Sequence, residues 1–217
     1  MANINSNIPE KTIERLSEYR RTLLSCLKQG ITHIFSHILA GMHGITAVQV
    51  RRDLMLIGFS SDTKKGYDVK VLIEFINSIL DSENVMNVAI IGMGHLGQAI
   101  TKYFNSKGLK LRIVSAFDVD PEKVGRTIDE IPCYHMDRFE EIVASMEISI
   151  AVISSPTRVA HTLVVPIINA GIKGVLNFTS AQLNFPQGIV SENFDITTIL
   201  EKIAYFVKEG DEGSDKS

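Results

Sequence analysis

The sequence is poor in cysteine, in long apolar runs and in excess charge, and each shortage removes a class of protein. Two cysteines occur in 217 residues, Cys26 and Cys133, far apart and without metal-ligand spacing. Neither a disulfide framework nor a zinc site is expected, and both read as small buried hydrophobes. The longest apolar runs, such as "ISIAVISS" from Ile148 to Ser155, are too short to span a bilayer, and the first residues lack a basic segment followed by an apolar one. A cytoplasmic protein with no membrane or metal partner is the expectation. Lys and Arg total 22 against 25 Asp and Glu, a net charge of -3. That balance argues against wholesale coating of nucleic acid but leaves room for a local basic patch. No internal repeat is visible.

What is present falls into two textures. From Pro9, Ile13, Leu16, Leu23, Leu24 and Leu27 recur at helical spacing until Gly30. In "SHILAGMHGITAVQVRRDLMLIGF", Ser36 can cap a short helix, Gly44 can turn, and Thr46 can cap a second helix, a helix-turn-helix pattern. A polar stretch ending at Gly66 precedes renewed helical periodicity over Val69 to Leu80, and "DSEN" reads as a linker. The predicted domains are 1–83 and 84–191, followed by a C-terminal helix over 192–209 and a disordered tail over 210–217. From Val88, strands at Val88 to Ile91, Arg112 to Phe117, Cys133 to Tyr134, Ile148 to Ile153 and Gly174 to Asn177 alternate with helices at Leu96 to Ser106, Phe139 to Ser145 and Val159 to Ala170. That alternation predicts an α/β, doubly wound parallel sheet. Ile196, Ile199, Leu200, Ile203 and Val207 give the last helix an apolar stripe.

"GMGHLG" supplies Gly92, Gly94 and Gly97 in G-x-G-x-x-G spacing, with Met93, His95 and Leu96 between them. The first glycine permits a tight turn, the second lets backbone approach a pyrophosphate, and the third lets helix pack on strand. Alone the motif is weak; an apolar strand before it, a helix after it and Asp118 about 20 residues on strengthen it. An acid there accepts hydrogen bonds from ribose hydroxyls and repels a 2′-phosphate, favouring NADH/NAD+ over the phosphorylated cofactor. Val119 follows Asp118, and Lys123 lies close enough to oppose that preference or to be a solvated helix-start residue.

On the second helix of the pair, Ala47, Val50 and Leu54 face the core and leave Val48, Gln49, Arg51, Arg52 and Met55 on or beside the outer face. Arginine reads guanine and glutamine reads adenine, so Thr46, Gln49, Arg51 and Arg52 suit the major groove of double-stranded DNA, with Lys64 and Lys65 at the tip of a possible wing. An ordinary solvated helix would look the same.

Together the two halves resemble Rex, the bacterial redox-sensing repressor family, in which a winged-helix domain is joined to a Rossmann domain. The likeness spans residues 8 to 207 and rests on "TIERLSEYRR", "TAVQVRRDL", "GYDV", "GMGHLGQAI", "FDVDPEKVG", "AGIKGVLNF" and "SENFDITTILEKIAYF". It implies a homodimeric transcriptional repressor, NADH bound more tightly than NAD+, and NADH-driven release from an AT-rich inverted-repeat operator. It further implies a C-terminal helix exchanged between protomers, Arg15 and Asp195 as a pair bridging subunits, and Tyr103 near the nicotinamide. The chain departs from the family at Met55, Leu56 and Ile57, in the wing from Ser61 to Lys65, where an arginine is missing, and at Ile196.

Two other readings stand beside this one. A small NAD-dependent dehydrogenase would use His95, His135 or His161 as acid or base, but no substrate domain follows the Rossmann portion, so no enzyme is expected. A CoA-binding Rossmann protein would show a similar phosphate cradle, and Asp118 weighs against it because CoA carries a 3′-phosphate.

Overall fold

The computed structural model describes residues 8–60, 63–105 and 110–214, which divide into units at Glu83/Asn84. The first contains α1 (Glu10–Lys28), β1 (His33–Ile34), α2 (Ser36–Met42), α3 (Ala47–Leu56), β2 (Tyr67–Asp68) and α4 (Val69–Leu80). Leu16, Leu23, Val50, Leu54, Leu72 and Ile76 form its core with the wholly buried Tyr19. The stripe on α1 is narrower than its leucines suggest: Leu24 and Leu27 are exposed, and Thr12, Tyr19 and Cys26 take buried positions. Thr46 caps α3 by accepting the Gln49 N–H at 3.1 Å. Asp68 caps α4 in the same way through the Val71 N–H. Ser36 does not cap α2, whose N-cap is Phe35; its hydroxyl instead accepts from Arg51 at 3.0 Å. Lys64 and Lys65 lie exposed on a 3-10 turn before β2, which pairs antiparallel with β1; of the wing positions, Ser61 and Asp62 lie outside the described residues.

The second unit runs β3 (Met86–Ile91), α5 (His95–Asn105), β4 (Leu111–Asp118), β5 (Thr127–Ile128), β6 (Ile131–His135), α6 (Phe139–Ser145), β7 (Ile148–Ile153), α7 (Thr157–Ala160), α8 (Val164–Asn169), β8 (Gly174–Asn177), β9 (Val190–Asn193) and α9 (Ile196–Ser214). The sheet order is β5-β6-β4-β3-β7-β8-β9, parallel throughout except for β5 against β6. Leaving out β5, chain order across the sheet is 3-2-1-4-5-6, the arrangement of dinucleotide-binding domains. One apolar layer, with Ile100 of α5, covers one face. Phe139, Ile142, Leu163 and Ile167 of the α6 to α8 region cover the other. The helix expected over Val159 to Ala170 is broken into α7, a 3-10 turn and α8. Pro166 accounts for the break, because it lacks the N–H that would bond Thr162 and its ring crowds that carbonyl. The strands β5 and β9 escape the hydrophobic pattern, since β5 has two residues and every side chain of β9 is exposed. Helix α9 continues to Ser214, through positions where a tail was expected. No helix among the described residues is long and apolar enough to cross a membrane.

Candidate functional site

In a sheet of this order, ligands bind where the strand sequence reverses, beyond the carboxyl ends of β3 and β7. The glycine turn lies there. Gly92 has φ +98°, and a Cβ on it would meet the Ser155 nitrogen at 2.7 Å. A Cβ on Gly97 would overlap the Gly92 carbonyl oxygen and crowd Ser154 Oγ and Ile90. At Gly94 a Cβ would meet nothing within 4 Å, so the backbone there faces open space. Two glycines therefore shape the protein and the middle one leaves a cradle. The first N–H groups of α5, which begins at His95, have no partner within the helix and carry its positive dipole end.

The turn is held from both sides. Ser154 donates its backbone N–H to the Ile91 carbonyl and its hydroxyl to the Gly92 carbonyl, both at 2.8 Å. On the other side, Asp118 accepts the Met93 N–H at 2.9 Å. The Met93 side chain is wholly buried. Asp118 also accepts the N–H groups of Val119 and Asp120 and lies 3.1 Å from Lys123 Nζ. Burial pushes the Asp118 carboxyl up, but the Asp120 and Met93 N–H groups and the Lys123 ammonium outweigh it and hold it below the usual carboxylate range. Lys123 also pairs with Asp120 at 3.2 Å, so two carboxylates surround one ammonium and the local charge is negative. Val119 and Leu96 are exposed apolar side chains flanking this edge, and Tyr103 is exposed on α5, edge-on to Phe104. Ser154 was missed in sequence, because a serine at a strand end carries no periodic signal. Ser155 beside it has a buried hydroxyl without a hydrogen-bond partner among the described residues. The site fits a dinucleotide in its open backbone at the cradle and its helix N–H groups, while the Asp118 carboxylate beside them is already engaged by Met93, Val119, Asp120 and Lys123.

The first unit holds a second candidate site on α3. Arg51, Arg52, Val48 and Met55 are exposed, and Arg52 has no side-chain partner among the described residues. Gln49 is not free: its amide donates to Asp53 at 2.8 Å. Asp53 is wholly buried and accepts Arg15 Nε and Nη2, each at 2.7 Å, and the Tyr19 hydroxyl at 2.8 Å. Burial raises its pKa, yet the Arg15, Tyr19 and Gln49 hydrogen bonds overcome that and hold it low. Arg15 thus has a bidentate partner within its own unit. Asp195 caps α9, accepting the Thr197 N–H and the Thr198 hydroxyl, each at 2.9 Å. Along α9 every described side chain from Ile196 to Glu209 is exposed, including Ile199, Leu200, Ile203 and Phe206.

Comparison with known proteins agrees with this division. Residues 7–54 match the family described as putative DNA-binding protein N-terminus, and residues 83–181 match the CoA binding domain family. The redox-sensing transcriptional repressor Rex of Anoxybacillus flavithermus is 35% identical over 96% of this chain and 98% of its own. The chain belongs to the Rex family. Among solved Rex structures, RSP in complex with β-NAD+ and operator DNA matches with TM-score 0.88 and 29% identity, covering 97% of each chain. RSP in complex with β-NADH matches with TM-score 0.86 and 28% identity over 98% of this chain and all of that one. The Rex fold, an N-terminal helical DNA-binding domain followed by a Rossmann-type parallel sheet, is therefore the fold of this chain.

Proposed function

We propose that this Rex-family protein is a transcriptional repressor whose Rossmann unit binds NADH and NAD+, and whose α3 helix binds double-stranded operator DNA. The observation that carries the reading is the open backbone at Gly94, next to the Met93 N–H that Asp118 accepts, in the same chain as an exposed, arginine-bearing helix. Gly94, His95 and Leu96 hold the pyrophosphate through backbone N–H groups, and Lys123, retained by Asp120, frees one acceptor position on Asp118 for a ribose hydroxyl. The surplus negative charge at that edge disfavours an additional phosphate, which opposes both NADPH and the 3′-phosphate of CoA. Arg51, Arg52, Lys64 and Lys65 make the leading phosphate and base contacts, and Thr46 fixes where α3 begins.

The protein acts as a regulator in which the dinucleotide is a cytoplasmic signal, and no catalytic residue is assigned. Its active form is a homodimer in which α9 is exchanged with the partner and covers its apolar stripe, setting the spacing of two α3 helices. Arg15 and Asp195 then bridge subunits in the DNA-binding arrangement, Arg15 keeping Asp53 through Nε and Nη2 and reaching Asp195 through Nη1. NADH opposes DNA only as far as it binds the other arrangement more tightly. A mobility shift on promoter DNA from the source genome, titrated separately with NADH and NAD+, tests the reading. NADH should release the complex at lower concentration than NAD+; a specific shift indifferent to both nucleotides refutes the sensor.

A further inference from the structure

The outward face of α3 is not uniformly polar. Val48 is 64% and Met55 72% exposed, among the most exposed apolar side chains in the protein. Seven residues apart, they lie on one line two helical turns long. Arg51 and Arg52 border that line on either side. The only carboxylate of the helix, Asp53, is turned inward and satisfied by Arg15, Tyr19 and Gln49. The exposed face is therefore an apolar strip between two cations with no anion, and its cationic rim fits a polyanion. Gln49, the amide expected to read bases, is held by Asp53. Val48 is the second residue of α3, at the end of a recognition helix that reaches base edges.

In the major groove the one apolar feature a base edge offers is the 5-methyl group of thymine. We infer that Val48 is a specificity-determining residue that packs against a thymine 5-methyl group, with Met55 continuing the same strip. The inference rests on the DNA-binding reading of α3 and goes beyond it in naming the base and the atom that are read. Arg51 adds to the selectivity of the strip, because its bond to Ser36 restrains the guanidinium at the rim.

The test uses the full-length chain and a random-sequence duplex pool from which it selects its own sites. The selected duplex is then remade with deoxyuridine at each thymine in turn, which deletes the methyl and keeps the pairing. At one or two positions, uracil should weaken wild-type binding about three- to five-fold, the effect of one buried methyl. Val48→Ala should lose about the same on the thymine duplex and nothing more on the uracil duplex, with the salt dependence of binding and the thermal midpoint unchanged. Wild-type binding indifferent to uracil at every position overturns the inference and leaves the repressor reading standing. Equal losses by Val48→Ala on both duplexes also overturn it, as does a change in oligomeric mass in that variant without thymine discrimination, which would assign the strip to protein contact. If no duplex is enriched at all, the DNA-binding reading falls and the inference with it.

Discussion

Gly94→Ala and Gly97→Ala should separate the two duties of the glycine turn. At Gly97 the added methyl would overlap the backbone carbonyl of Gly92 and come within 3.1 Å of Ser154 Oγ and 3.2 Å of Ile90 Cγ2. Backbone cannot rotate aside, so α5 must lift from β3, an overpacking cost at the upper end of about 1–3 kcal/mol. Alanine recovers about 1 kcal/mol of helix propensity, leaving a net loss of about 1–2 kcal/mol. A midpoint lower by about 3–8 °C is expected. At Gly94 the methyl meets nothing within 4 Å and φ lies outside the left-handed region, so the midpoint should stay within about 1 °C of wild type. The same methyl stands where a pyrophosphate approaches, and NADH affinity should fall at least about ten-fold, or 1.4 kcal/mol. Thermal unfolding with and without NADH, paired with a fluorescence titration of the nucleotide, reads both effects. Wild-type NADH affinity in Gly94→Ala would refute the cradle. An equal loss of stability in both variants would refute the division of labour.

Asp53→Asn should destabilise the chain by about 3 kcal/mol, the lower end for a broken buried pair, because the Arg15 side chain is 23% exposed. Since the Asp53 carboxyl is held below its ordinary value, its contribution is complete above about pH 4 and is lost as pH falls from there through the lower folded value. Acid unfolding curves of wild type and Asp53→Asn should therefore converge at low pH, and a constant gap would contradict the pairing. Arg52→Ala should lower operator affinity and flatten the log affinity against log salt slope by about 1, one phosphate contact; an unchanged slope would remove Arg52 from the interface. The double variant Leu200→Asp, Ile203→Asp should sediment as a monomer with wild-type NADH binding, and a persistent dimer would place the interface elsewhere than on α9.

Much of this architecture was legible because it is periodic or local. Thr46 precedes an apolar-periodic run and caps it, and the five strands expected in the second unit are all present with ends shifted by at most two residues. The glycine spacing marked the turn because Gly92 and Gly97 answer local steric demands, whereas a Cβ on Gly94 would meet nothing within 4 Å. What could not be read was partnership across long separations. Asp53 sits in "RRDL" among charged neighbours and looks solvated, yet its partners are 38 and 34 residues earlier, at Arg15 and Tyr19. A faint signal existed in Gln49 and Asp53 at i, i+4 on one face, a spacing that allows a side-chain hydrogen bond. Likewise Ser36 satisfies every rule for a cap but answers an arginine fifteen residues away. Local chemistry proposes such roles, and tertiary packing decides among them.

The hydrogen bond from Met93 to Asp118, with the Met93 side chain packed beneath it, means that the loop a dinucleotide would enter is set before it arrives. A loop that had to order itself on binding would dissipate part of the ligand's free energy locally, at roughly 1–2 kcal/mol per residue fixed. A rigid receptor leaves that energy available elsewhere. Each tenfold preference of the nucleotide for one arrangement of the proposed dimer would then appear as about 1.4 kcal/mol of bias on the equilibrium between arrangements. Stiffness at the input and sensitivity at the output are, on this view, the same property measured at two places.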